Sequence, residues 1–491
     1  MACTTILVGK KASYDGSTII ARNDDSPSGV FCAKKLVVID QAKQPRKYKS
    51  KIAHLEIELP NNPLKYTCMP SVDTSEGIWG AAGINSENVG MTATETITSN
   101  PRVMGADPLV VYKPRSKGNN KEIAGGIGEE DLVVITLPYI HSAKEGVIRL
   151  GSLLEKYGTY ESNGIAFNDK DEIWWLESIG GHNWIARRVK DEEYVMMPNQ
   201  FGLDRFDFND AYGEQKENMC SKGLKDLVKD NFLDLSIEGE FNPRLAFGSH
   251  EDSDHVYNTP RAWYMGRYFN PHTFKWDGEN SDYNPLSDNI PWSLTPEHKI
   301  TIEDVKYILS SYYQGTKYNP YSKVNDPEKG IYRPIGISRT SFLAVLQIRP
   351  YMPKEISALE WVAYGSNAFN ALVPLYSNMN EVPVYFTNTT NMVNTNNFYW
   401  SSRLLGALVD PHFNLTSIFI ERYTGLVSNY GHEIINKYDK EYKNNKDAAS
   451  LIKKANEEVE KMIIKETNKT LDKVLYTVSC NMKNGYNRSD N

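Results

Sequence analysis

The sequence predicts an α+β protein, because it combines runs typical of antiparallel strands with stretches of helical periodicity. Short runs of strand-forming residues at 165–167, 172–177 and 182–187 are separated by Asn-Asp and Gly-Gly pairs, which is typical of an antiparallel ladder. Apolar residues at helical spacing across residues 128–156 predict two helices packed on a sheet. The same spacing in the charged stretch 439–474 predicts one long surface helix.

The amino-terminal stretch is predicted to form a β-hairpin. Two β-rich runs, residues 4–8 and 18–21, flank an Asp-Gly pair, and this glycine can supply the positive φ of a tight turn. With the midpoint between residues 12 and 13, Cys3 lies opposite Arg22. A thiol close to the chain terminus then lies beside a guanidinium and two carboxylates.

Cys3 can act as a nucleophile if it becomes the first residue, because its own α-amine can then act as the general base. A free α-amine has a pKa of roughly 7.7 to 8.0 and a thiol a pKa of about 8.5, so the amine can take the thiol proton near neutral pH. A free cysteine on a strand is more often a small buried hydrophobic residue. Spacing alone favours that ordinary interpretation.

A family resemblance changes this weighing. Cys3-Thr4-Thr5-Ile6-Leu7-Val8-Gly9, Asp15-Gly16-Ser17-Thr18 and Arg22-Asn23-Asp24-Asp25 resemble the opening of the bacterial cysteine dipeptidases with an N-terminal nucleophile. That family is related to the penicillin V acylases and conjugated bile acid hydrolases. Further similar blocks extend the resemblance over most of the chain: Gly83-Ile84-Asn85 to Thr96, Met197-Pro198-Asn199-Gln200-Phe201, Tyr257-Asn258-Thr259-Pro260-Arg261-Ala262-Trp263 and Arg339-Thr340.

The resemblance implies a cysteine dipeptidase of broad side-chain specificity that works through a thioester on Cys3. Removal of Met1-Ala2 exposes the Cys3 amine. Arg22 lowers the thiol pKa, and Asp25 takes the family's acidic role and orients the amine. Residues 194–197 are predicted to continue the antiparallel ladder as a further strand, which ends at Pro198-Asn199. Asn199 therefore falls at a strand terminus, and the resemblance makes it the candidate for the oxyanion hole.

A dipeptide carries an ammonium and a carboxylate only two residues apart, so a selective site needs opposite charges on either side of the thiol. Glu95 lies in the block where related acylases often have an asparagine, and we expect it to bind the ammonium. Arg261 is the candidate for the carboxylate, because a guanidinium can bind a carboxylate through two hydrogen bonds. Arg339 is the alternative.

The resemblance also implies the four-layer αββα sandwich of the N-terminal-nucleophile hydrolases, with two antiparallel sheets between helical layers. We predict a hydrolase domain over residues 1–435, which includes an irregular insert at about 205–328. A helical extension over residues 436–491 packs on the same domain. Strand-like runs also occur at 341–347 and 382–386.

Three alternatives are left open. An acylase for larger non-peptide amides would share the nucleophile and differ only in its pocket. A papain-type protease is disfavoured, because no cysteine has the local sequence signature of that family. A non-catalytic interaction protein on the same fold would be preferred if Cys3 never became the terminus.

Composition excludes several other classes. The formal charge of −7, the pI near 5.8 and the spread of Lys and Arg along the chain give no basic stripe for nucleic acid. The mean hydropathy of −0.51 and the short apolar runs predict neither a membrane partner nor a signal peptide, so a cytoplasmic location is expected. The five cysteines are irregularly spaced and no zinc motif occurs, so no cofactor is expected. Small peptides are the expected partners, together with further copies of the chain in a homo-oligomer.

Overall fold

The computed structural model describes residues 2–27, 30–116, 121–237, 239–444 and 447–483. The strands, in chain order, are β1 (Ala2–Val8), β2 (Thr18–Asp25), β3 (Val37–Ile39), β4 (Lys47–Lys49), β5 (Glu56–Glu58), β6 (Tyr66–Cys68), β7 (Ala82–Ile84), β8 (Gly90–Thr96), β9 (Asn163–Asn168), β10 (Ile173–Ile179), β11 (Asn183–Val189), β12 (Tyr194–Met197), β13 (Asn218–Cys220), β14 (Ser293–Leu294), β15 (Thr340–Ile348), β16 (Ala358–Tyr364) and β17 (Val373–Tyr376).

The α-helices, in chain order, are α1 (Pro101–Ala106), α2 (Glu129–Thr136), α3 (Ala143–Tyr157), α4 (Phe208–Ala211), α5 (Leu224–Asp230), α6 (Pro243–Phe247), α7 (Asp254–Tyr257), α8 (Thr259–Phe269), α9 (Ile302–Leu309), α10 (Val384–Thr387), α11 (Phe398–Val409), α12 (Phe413–Asn444) and α13 (Ala448–Cys480).

Two antiparallel sheets dominate the described part of the chain. One has seven strands in the order β14-β12-β1-β2-β15-β16-β17, and the other has six in the order β13-β11-β10-β9-β8-β7. β1 and β2 contact β8 of the second sheet, α3 packs on β9 to β11, and α9 packs on β1 and β2. Every residue of β15 is buried, because neighbouring elements cover both faces of this central strand. These contacts confirm the α+β class.

The predicted hairpin forms, but its register differs from the expected one. Cys3 pairs with Asp24, and Arg22 pairs with Thr5, so the midpoint lies one residue further along the chain. The turn is not symmetric, because Ala12 and Ser13 both donate hydrogen bonds back to the Gly9 carbonyl oxygen. Because of this local turn, the midpoint of the hairpin lies one residue later than a symmetric hairpin would place it.

The antiparallel ladder over β9, β10 and β11 is confirmed, but its predicted continuation in β12 is wrong. β12 pairs with β1 in the other sheet, and β13 takes the place beside β11. The link before β12 is bound to the first hairpin, because Gly9 N–H donates to Glu193 O and Lys11 N–H to Asp191 O. These bonds direct the chain across to the seven-stranded sheet.

The predicted pair of helices at 128–156 is confirmed as α2 and α3. The insert at about 205–328 contributes β13 to one sheet and β14 to the other, in each case at an edge. The expected strand at 382–386 is wrong, since α10 begins directly after Pro383. Proline cannot donate to a strand ladder, which disfavours a strand there.

The single helix predicted over residues 439–474 is wrong, because this stretch contains the end of α12 and most of α13. The apolar residues that suggested it lie on the buried face of α13, for example Leu451 and Val459. The side chain of Asp447 caps α13 by accepting from the Ser450 N–H. The predicted domain boundary after residue 435 falls inside α12 and stays a prediction.

In the part of the chain that the structure describes, none of the helices combines the length and apolar character needed to cross a membrane.

Candidate active site

Cys3 lies on β1, near the middle of the seven-stranded sheet. Because side chains alternate along a strand, Cys3 shares one sheet face with Asp24, its partner on β2, and with Arg22, two residues away. Arg22 Nη2 lies 2.7 Å from Cys3 Sγ and 3.1 Å from Asp24 Oδ1. All three side chains are completely buried. The thiol and the guanidinium are thus in direct contact despite the change in register.

Two further charged groups extend this contact into a row. Glu129, at the start of α2, places Oε1 3.6 Å from Arg22 Nη2. Lys34 Nζ lies 3.3 Å from Asp24 Oδ2. We call Lys34, Asp24, Arg22 and Glu129 the charge row. Positive and negative groups alternate along it, and it ends beside the Cys3 thiol.

The ligand atoms of Cys3, Asp24 and Glu129 lie within 4.8 Å of one another, as in a possible metal site. The same three side chains face Nη2 of Arg22 through Cys3 Sγ, Asp24 Oδ1 and Glu129 Oε1. The protein's own cation therefore occupies the centre of this cluster. This arrangement fits a guanidinium rather than a bound ion.

Opposing effects act on the Cys3 thiol. Burial raises its pKa most strongly, and the adjacent Arg22 guanidinium lowers it. The carboxylates of Glu95, Asp24 and Glu129 add to the rise. The reactivity of the thiol therefore depends on how the charge of Arg22 is shared among its neighbours.

Asn199 reaches Cys3 from the end of β12, two residues after Met197, as the sequence predicted for a residue at a strand terminus. Its Oδ1 accepts from the Cys3 backbone N–H at 3.2 Å and from Arg261 Nη2 at 2.8 Å. Its Nδ2 donates to Thr96 O at 3.1 Å. The amide group is therefore fixed in orientation beside the Cys3 backbone.

Arg261, on α8, is completely buried. A guanidinium has five N–H groups. Those of Arg261 are directed at five protein oxygens, namely Tyr257 O, Cys3 O, Thr4 Oγ1, Asn199 Oδ1 and Asn258 Oδ1. The carboxylate-binding role predicted for Arg261 would require it to exchange these partners. In this arrangement Arg261 instead joins β1 to Asn199.

Asp25 lies on the opposite sheet face from the Cys3 side chain and pairs in register with Ala2. Its Oδ1 accepts from Thr340 Oγ1 at 2.6 Å, and its Oδ2 pairs with Arg333 Nη2. Asp25 is thus held firmly beside the residue that precedes Cys3. Its predicted contact with a free Cys3 amine stays a prediction.

Glu95 is the last residue but one of β8, and its side chain contacts β1. Its Oε2 accepts from Thr5 Oγ1 at 2.6 Å, and its Oε1 has no hydrogen-bond partner within the described residues. Burial raises the pKa of Glu95 to about 8, although Arg261 and the Thr5 bond act in the opposite direction. Glu95 is therefore a buried carboxyl group that a cation could pair with.

A cleft of about 660 Å³ opens beside Asn199. Tyr257 and Asn258 line it together with the acidic residues Glu251 and Asp254. Its volume lies in the range of small-ligand pockets. One of the residues that line it is Asn199, which also binds the Cys3 nitrogen, so the cleft adjoins the surroundings of Cys3.

Tyr257 connects this cleft to three arginines. The guanidinium carbons of Arg261 and Arg333 lie 5.1 and 5.0 Å from the centre of its ring. Arg339 Nη2 donates to the Tyr257 hydroxyl at 2.9 Å, and its Nη1 donates to Ser26 O at 3.1 Å. Arg339, the alternative carboxylate ligand, therefore lies next to a residue of the cleft wall.

Sequence reasoning missed part of this site. It gave no role to Asp24, although residues two apart on a strand share a face and Asp24 is two after Arg22. Lys34 and Arg333 carry no local motif, and only the fold brings them to the hairpin. Glu129 belongs to an acidic run that was interpreted as the start of a helix.

Comparison with known proteins agrees with these observations. The sequence profile of Peptidase family C69 matches residues 2–425. A dipeptidase of Bifidobacterium longum is 50% identical over 533 aligned residues, which cover all of both chains. A probable dipeptidase A of Streptococcus pyogenes is 48% identical over 492 residues, again covering both chains fully. A probable dipeptidase B of Lactococcus lactis is 42% identical over 494 residues, which cover 100% of this chain and 98% of the relative. These matches confirm the resemblance, and the chain belongs to peptidase family C69.

Proposed function

We propose that this protein is a cysteine dipeptidase whose nucleophile is an N-terminal Cys3. One observation carries the proposal: Cys3 Sγ contacts the Arg22 guanidinium while the Cys3 nitrogen is bound to Asn199 Oδ1. The thiol and the nitrogen that must cooperate are thus each held by a separate side chain. The dipeptidases named among the relatives support the choice of substrate.

Maturation begins with loss of the initiator Met1. The Cys3 thiol then attacks the carbonyl carbon of Ala2, the Ala2–Cys3 peptide bond breaks and frees the Cys3 α-amine, and water hydrolyses the resulting thioester to release alanine. The freed α-amine, with an ordinary pKa near that of a thiol, then takes the thiol proton. The thiolate attacks the peptide carbonyl, and the amine passes its proton to the leaving amine. Water hydrolyses the thioester and releases the second product.

Asn199 supports the oxyanion formed in each step. Its Nδ2 carries two hydrogens, and Thr96 O accepts one of them. The other is available for the developing negative charge. Arg261 acts as a positioning residue, because it binds Asn199 Oδ1 and thereby keeps Nδ2 directed as a donor.

Charge complementarity supports free dipeptides as substrates. Glu95 binds the substrate ammonium, since its Oε1 is buried without a hydrogen-bond partner in the described chain. Because the N–H groups of Arg261 already have protein acceptors, we assign the substrate carboxylate to Arg339 instead. The cleft beside Asn199 provides the room for two residues.

The same proposal extends to the fold. Helices pack on the outer side of each of the two contacting sheets: α3 on β9 to β11, and α9 and α11 on strands of the seven-stranded sheet. This arrangement supports the four-layer αββα sandwich of the N-terminal-nucleophile hydrolases. Broad side-chain specificity belongs to the same proposal.

The test combines the amino-terminal sequence, the intact mass and dipeptide hydrolysis for wild type and for Cys3→Ala. The expected wild-type chain begins at Cys3 and is active, whereas Cys3→Ala keeps Ala2 and is inactive. Cys220→Ala, at another buried cysteine, is the matched control and should be processed and active. A fully active wild-type preparation that retains Ala2 would contradict the proposal.

A further inference from the structure

Lys34 is a completely buried lysine that none of the steps above uses. Its Nζ lies 3.3 Å from Asp24 Oδ2, donates to Trp79 O at 3.0 Å and faces the ring of Phe342. A buried ammonium is costly unless it is paired with a charge of opposite sign. Asp24 provides this pairing.

The charges of the row determine how strongly the positive charge of Arg22 can stabilise the Cys3 thiolate. Arg22 Nη2 faces two carboxylates, Asp24 and Glu129, in addition to Cys3 Sγ. Without Lys34, one guanidinium would have to balance both carboxylates and the thiolate. With Lys34, one of the carboxylates is shared with a second cation, and the row has equal numbers of positive and negative groups.

We propose that Lys34 is a positioning residue of the dipeptidase site. Lys34 holds Asp24, so that the Arg22 guanidinium stays on Cys3 Sγ and stabilises the Cys3 thiolate. This inference rests on the proposed function, since it assumes that the Cys3 thiolate is the nucleophile. The Asp24 carboxylate supports it. Burial acts to raise the pKa of Asp24, but Lys34 and Arg22 together hold it below its ordinary value.

Several other titratable groups lie around the row, among them Tyr399, on which the Asp24 charge acts, and Glu161, on which the Glu129 charge acts. Glu95 also faces the thiol, and Arg261 binds the Cys3 carbonyl oxygen from the other side. Around Lys34, its positive charge also acts on the thiols of Cys32 and Cys68. The carboxyl group of Glu360 acts on Cys68 as well. These groups stay unchanged in the variants below.

The test measures how fast iodoacetamide alkylates Cys3 as a function of pH, by mass spectrometry of the amino-terminal peptide. Lys34→Met should move the midpoint upward by about one pH unit and slow alkylation near neutral pH about tenfold. Asp24→Asn should move the midpoint downward, because it removes a carboxylate from Arg22. The double variant Lys34→Met/Asp24→Asn should return the rate to within about threefold of wild type, because the charges again balance.

Lys144→Met is the matched control. Lys144 also donates to a backbone carbonyl oxygen, that of Gln215, and faces an aromatic ring, that of Trp174. Among the described residues it has no carboxylate within ion-pair distance. Lys144 is partly buried, whereas Lys34 is completely buried. The pH profile of Lys144→Met should match that of the wild type, which separates the loss of the Lys34–Asp24 ion pair from the loss of a lysine that only donates to a carbonyl oxygen and faces a ring.

Dipeptide kinetics complete the test: kcat of Lys34→Met should fall in step with alkylation while KM is retained. An unchanged midpoint in folded Lys34→Met, or a double variant slower than both single variants, would overturn the inference. If Lys34→Met does not fold, the alkylation midpoints of Asp24→Asn and of the double variant test the inference. Hydrolysis that survives complete alkylation of wild-type Cys3 would instead overturn the proposed function.

Discussion

Replacement of Glu95 by glutamine should abolish the preference for a free substrate amine. The pKa of Glu95 rises from an ordinary 4.5 to about 8, so ionising it in the folded protein costs about 5 kcal/mol more than in water. At pH 7 only roughly one tenth of the molecules carry the charge. A substrate ammonium beside Oε1 recovers part of this cost, and truncating such a buried partner typically costs ~2 to 5 kcal/mol.

The assay compares kcat/KM for a free dipeptide and for its N-acetylated form between pH 6 and 9. Dividing one value by the other cancels the titration of Cys3 and its amine, because both substrates need them. The substrate amine has a pKa of roughly 7.7 to 8.0, so it loses its charge over the same pH range in which Glu95 gains one. In the wild type the ratio should therefore peak near pH 8, where each group is about half charged.

Glu95→Gln should lower kcat/KM of the free dipeptide about 30-fold or more and that of the acetylated form by less than about threefold. Glu360→Gln is the matched control, because burial also raises the pKa of Glu360, to about 7, on a strand away from the cleft. Equal losses on both substrates, or a ratio that does not change with pH, would refute the ammonium role.

Further outcomes follow from the same geometry. Arg22→Ala and Asp25→Ala should each lower kcat by ~100-fold or more in steady-state assays, while normal turnover with a lower melting temperature would assign them a structural role only. Arg261→Lys should lower kcat more than it raises KM, because the flexible ammonium cannot replace the planar fork that fixes Asn199; an effect on KM alone would contradict this. Glu360 keeps its proton in the folded state between pH 4.5 and about 7, where the unfolded chain has lost it. Stability therefore falls as pH rises through this interval, and Glu360→Gln should melt higher than wild type at pH 8 but equally at pH 4.

Much of the site could be predicted because it lies on one short hairpin. Cys3 and Arg22 are close in sequence, and a turn signal between them brings their strands together. The predicted register was wrong, but the predicted contact between Arg22 and Cys3 is present. An arginine side chain is long enough to reach the thiol from a neighbouring strand position. Asn199 was placed correctly at a strand end, although its strand was assigned to the wrong ladder.

The remaining parts depend on contacts between distant segments, which local patterns do not encode. Lys34 reaches Asp24 from the segment between β2 and β3, and Glu129 reaches Arg22 from α2, which packs on β8 of the other sheet. Arg261 was predicted to bind the substrate carboxylate because of the shape of its guanidinium. Only the fold shows that protein oxygens already accept hydrogen bonds from its N–H groups. In the same way, helical periodicity identified the buried face of α13 but could not show where α12 ends.

The insert between about residues 205 and 328 has a consequence for solubility. β13 and β14 each form an outer strand, so they cover the open backbone of β11 and β12. An uncovered strand presents free N–H and C=O groups that can pair with another molecule. A shortened protein without this segment would therefore tend to aggregate through two edges, one of them only a single strand away from β1. Any minimal version of the enzyme will have to supply replacement edge strands or place charged residues and prolines along both exposed edges.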